Sequence, residues 1–88
     1  MKDYAIDVLL EVPVKELARL HDPASAVMER MRDKADRMCD EAGARLRTDR
    51  APEVTVSQAI HPLLGDMTLF ASRWAVVAPE DLEPTPRH

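Results

Sequence analysis

Eighty-eight residues make one domain with a modest core, since a chain this short buries only ~60–65% of its unfolded surface. A formal charge of −4 and a pI near 5.3 argue against a phosphate-backbone partner, which needs a basic footprint, so no nucleic acid is expected. A single cysteine excludes an intrachain disulfide; no apolar run reaches bilayer length and no signal-peptide pattern opens the chain, so a cytoplasmic protein with no membrane contact is expected.

Hydrophobic residues at 45% and charged residues at 32% fit a folded chain rather than a disordered one. Arginine outnumbers lysine nine to three and alanine is abundant, a bias resembling high-GC bacterial (actinobacterial-type) or phage sequences.

Asp3–Val12 alternates. Tyr4, Ile6, Val8, Leu10 and Val12 share one face; Ala5, Asp7, Leu9 and Glu11 share the other, which predicts a strand ended by Pro13. Val14–Leu20 reads as a short helical turn or loop. Asp22 is a predicted helix cap and Pro23 suits the first helical position, where its missing N–H has no partner to lose.

From Pro23 to Ala42 the apolar positions Ala24, Val27, Met28, Met31, Ala35, Met38, Cys39 and Ala42 form one stripe at helical spacing. Arg30, Arg32, Lys34 and Arg37 are interleaved with Glu29, Asp33, Asp36, Asp40 and Glu41, so the opposite side is a mixed charged face. Gly43 is the predicted stop.

Ala44–Pro52 is polar and reads as a connection with some extended structure around Leu46. Glu53–His61 is the next predicted strand, and Pro62–Asp66 a five-residue turn. Met67–Ala78 is a strand with apolar residues on both faces: Phe70, Trp74 and Val76 on one, Leu69, Ala75 and Val77 on the other. It needs cover on both sides and so belongs in the centre of a sheet. Residues 1–79 form the domain; 80–88 are expected to be a flexible, acidic, proline-rich tail.

The β-α-β-β order predicts an α+β fold: a two-layer sandwich of a three-stranded sheet (order 1-3-2) with one long helix on one face. Arg73 sets the faces. An unpaired guanidinium under the helix is costly, so Arg73 belongs on the open face with Asp7 and Glu11 as cross-strand partners. The helix then covers the Tyr4–Val12 apolar set, Val54, Val56, Ile60, Phe70, Trp74 and Val76.

The open face holds an apolar patch of Leu9, Met67, Leu69, Ala71, Ala75 and Val77. Such patches mark interfaces, and a homodimer with stacked sheet faces is expected, with a further protein partner as an option. His61, Arg73, Asp7 and Glu11 are the candidate ligand-binding residues, either for an acidic small molecule or for proton transfer; their plainer reading is a polar rim with an ion pair. Cys39 and the helix methionines read as core. The three histidines lack ligand spacing, and there is no glycine-rich phosphate loop, so no metal or cofactor and no catalytic residue is assigned. The expected function is a non-enzymatic, self-associating interaction or accessory module. The alternative is a small-ligand binder or minimal enzyme using a polar-rimmed pocket on the open sheet face.

Overall fold

The computed structural model describes residues 4–79, so the predicted tail at 80–88 lies outside the described residues. The elements run β1 (Tyr4–Pro13), α1 (Val14–Arg19), α2 (Pro23–Ala42), β2 (Arg45–Leu46), β3 (Glu53–His61) and β4 (Gly65–Val77). The fold is α+β, with one long helix on an antiparallel sheet. Its centre is β4, paired along one edge with β1 and along the other with β3 and then β2. The expected three-stranded order is thus refined to four strands. The fourth is the two-residue β2, which pairs with Val76 and Val77 beyond the point where β3 begins.

The long hairpin is tighter than the sequence predicts. Pairing continues through His61 opposite Gly65, so the connection is Pro62–Leu64, three residues rather than five. Gly65 makes this possible at φ +80°, a left-handed conformation that closes three-residue hairpin loops.

Helix α2 starts at Asp22, whose side chain accepts from the Ser25 amide, and stops at Gly43, which sits at φ +73°. Its buried residues are Val27, Met31, Ala35 and Cys39, a single row at spacing four. Met28 and Met38, counted in the predicted stripe, are 39% and 36% exposed. Val27, Met31 and Ala35 pack with Val8 and Trp74, surrounded by Ile6, Leu10, Leu17, Leu46 and Phe70. The polar atoms of this core are paired: Trp74 Nε1 donates to Ser72 Oγ at 2.8 Å, and Ser72 Oγ donates to the Val8 carbonyl at 3.4 Å. Val14–Leu20, read as a short helical turn or loop, holds the six-residue α1, tied to α2 by Glu16–Arg30 at 2.9 Å.

One expectation about cover is overturned. Val54, Val56 and Ile60 of β3 do not lie under the helix; they are 39%, 57% and 80% exposed. The reason is width. A helix is about 10–12 Å across and strands are about 4.8 Å apart, so one helix roofs two strands. The packing of α2 falls on β1, β4 and β2, and β3 is left bare on that side. The molecule is accordingly long, 55 × 26 × 20 Å. Its radius of gyration is 16.0 Å, against about 12 Å for a compact chain of this length.

Candidate functional site

The sheet face away from α2 carries the predicted site residues, and the strand register fixes their spacing. Asp7 stands directly opposite Arg73 on β4. Arg73 Nε donates to Asp7 Oδ1 at 2.9 Å and Nη2 to Oδ2 at 3.3 Å, the fork geometry of a two-bond ion pair. Across its other edge Arg73 stands opposite Glu53 of β3, whose negative charge adds to that of Asp7 in holding the guanidinium protonated. Glu53 was missed from the sequence. It begins a strand just after Pro52, and only the register of the hairpin puts it beside Arg73.

The other two candidates do not join them. Glu11 stands opposite Leu69, four residues along β4 from Arg73 and so roughly 13 Å away. His61 stands opposite Gly65, eight residues from Arg73 and so roughly 27 Å away. Its ring serves the turn instead: Nδ1 accepts the backbone amides of Leu63 at 3.0 Å and Leu64 at 3.1 Å. An imidazole, two carboxylates and a guanidinium therefore do not converge on one point.

Two shallow depressions flank Arg73. One of about 170 Å³ is lined by Tyr4, Ala5, Arg50, Glu53 and Ala75. The other, about 240 Å³, is lined by Asp7, Glu53, Thr55 and Ala71. Both are smaller than the roughly 300 Å³ at which small-molecule sites begin. Asp7 takes two of the five N–H donors of Arg73 and balances its charge, so an acidic ligand meets a guanidinium that is already neutralised. Among the described residues no three His, Cys, Asp or Glu side chains gather as a metal site, and no helix is long and apolar enough to cross a membrane.

The predicted interface residues share this face. Leu9 is 49% exposed, Ala71 is exposed, Leu69, Ala75 and Val77 are half-buried, and Met67 is already buried within the chain. The patch is not continuous, because the Asp7–Arg73 pair lies between the Leu9/Ala71 and Ala5/Ala75 cross-strand pairs.

A second surface is β3. Every residue of β3 from Glu53 to Ile60 is exposed, on both faces, and among the described residues no strand pairs with its outer edge. With Leu63 at 88% and Leu64 at 56%, the apolar exposure runs from Val54 to the hairpin tip. Comparison with protein-family models, with curated proteins and with solved structures finds no match to this chain.

Proposed function

We propose that this chain is a non-enzymatic interaction module that works by self-association. The observation that carries the reading is the bare β3. An apolar strand set, Val54, Val56 and Ile60, stands in solvent at 39%, 57% and 80% exposure beside a backbone edge with which no strand pairs among the described residues. Long, flat, apolar edges pair with other chains unless something blocks them. Stacking of the open faces is the competing geometry. It is less favoured, because a dry stack strips water from the Asp7–Arg73 pair, whose side chains are now 69% and 62% exposed. Ligand binding has less support still, since His61 and Glu11 stand far from Arg73 and the depressions beside it are small.

The test is mass in solution. Light scattering at micromolar concentration is expected to give twice the 9.9 kDa chain mass. A mass of one chain across that range overturns the reading.

A further inference from the structure

Resting on that self-association, we infer that β3 pairs edge to edge with β3 of a second copy, antiparallel and centred on Ser57. The two edges of the sheet are built differently. The β1 edge carries Asp7, Glu11 and Pro13, and Lys34 of α2 donates to the Leu9 carbonyl at 2.8 Å. Charges, proline and a covering helix are the ordinary means of keeping an edge from pairing. Among the described residues, the β3 edge has none of them between its end residues Glu53 and His61. Val54–Ile60 is VTVSQAI, with no charge and no proline, and its register on β4 runs unbroken without a bulge.

The register follows from the prolines. Pro52 and Pro62 bracket β3 at equal distances from Ser57. Proline has no amide to give a ladder. Centring on Ser57 pairs all nine residues of β3 and leaves both prolines outside. Facing side chains must share a sheet face, so the register can slip only in steps that move the centre to Val56 or Gln58. The first sets Pro52 against Ile60 of the second copy and the second sets Pro62 against Val54.

The side chains agree with that register. On the helix side Val54 meets Ile60, so these two exposed apolar groups cover one another across the strands, while Val56 meets the side chain of Gln58. On the open side Glu53 meets His61. The His61 Nδ1 already accepts two turn amides, so in the neutral ring Nε2 carries the proton and is the nitrogen that donates to a carboxylate. The two-fold axis stands perpendicular to the sheet. Both α2 helices then lie on one side, flanking the strip formed by Val54, Val56 and Ile60 of the two copies.

Cysteine scanning tests the pairing. In this register Ser57 faces its own counterpart at about 4.5–5.5 Å between Cα atoms, within disulfide reach. Thr55 faces Ala59, while Thr55 stands roughly 14 Å from its own counterpart. Under mild oxidation Ser57→Cys, and an equal mixture of Thr55→Cys with Ala59→Cys, are expected to crosslink at least about tenfold faster than Thr55→Cys alone. The wild-type chain, whose Cys39 is buried, is the control. Val56→Lys is expected to give the mass of one chain with its circular dichroism unchanged, because Val56 is 57% exposed. A wild-type dimer in which Ser57→Cys crosslinks no faster than Thr55→Cys, or which survives Val56→Lys, overturns the edge pairing and leaves self-association standing; crosslinking through Leu9→Cys instead identifies stacked open faces. A wild-type monomer overturns both.

Discussion

Arg73 and Asp7 hold each other across the β1–β4 pair through two hydrogen bonds of 2.9 and 3.3 Å, and they do so in the open. The Arg73 hydrogen bond, aided by the guanidinium charge and opposed by desolvation, keeps the Asp7 carboxyl below its ordinary 3.8. A depressed folded value means that the contribution is complete above the ordinary range and is lost as pH falls through the folded value. Wild type and Asp7→Asn are therefore expected to differ in urea midpoint at pH 7, and to converge as pH drops below 3.8. The gap is expected to be small and to shrink with salt, because both groups are solvated. A gap that persists at pH 2 would mean that the carboxylate is not its source.

Met31 and Met28 sit one turn apart on α2 and are expected to respond differently to truncation. Met31 is 2% exposed within the core cluster, so Met31→Ala removes a packed side chain and leaves a cavity. Its expected cost is about 2–5 kcal/mol. Met28 is 39% exposed, and Met28→Ala is expected to cost less than about 1 kcal/mol. Urea unfolding of the two variants decides the matter, and equal losses would contradict the placement of α2 on the sheet.

That pair of methionines also shows how far the sequence could be read. Period-two alternation was enough to place β1, apolar residues on both faces were enough to put β4 at the centre, and the cost of burying a lone guanidinium was enough to put Arg73 on the open face with Asp7 and Glu11, of which the register pairs it with Asp7. The helix stripe was legible as apolar but not in its width, because Met28 and Met38 fall within the helical repeat beside Met31 and Cys39. Val54, Val56 and Ile60 posed the same difficulty. An apolar strand face looks alike in sequence whether a helix or another chain covers it, and only the breadth of α2 against the sheet separates the two cases. Glu53 and the turn role of His61 were hidden for a further reason. Both depend on a register set by Gly65, which shortened the loop by two residues relative to the predicted turn.

Cys39 is buried on the inner face of α2, and its thiol is pushed up chiefly by burial, with Asp36 and Asp40 adding to the shift. The thiolate is the reactive form, so the native chain is expected to resist a thiol reagent at neutral pH and to react fully in denaturant. The rate of native labelling then reports opening of the α2 contact. Labelling at the speed of a free thiol in the native state would place Cys39 on the surface.

Gly43 ends α2 at φ +73°, where its amide reaches the Asp40 and Cys39 carbonyls. A Cβ there would meet only Pro79, at 3.8 and 4.0 Å, which is ordinary contact. The cost of a side chain is therefore a backbone cost, about 1–2 kcal/mol for an L-residue forced left-handed. Gly43→Ala is expected to destabilise by that amount, and Gly43→Asn by less, since asparagine tolerates this conformation better. The order of the two variants in urea midpoint separates backbone strain from crowding. Crowding against Pro79 penalises the larger asparagine more, so a lower midpoint for Gly43→Asn than for Gly43→Ala would assign the cost to space rather than to φ.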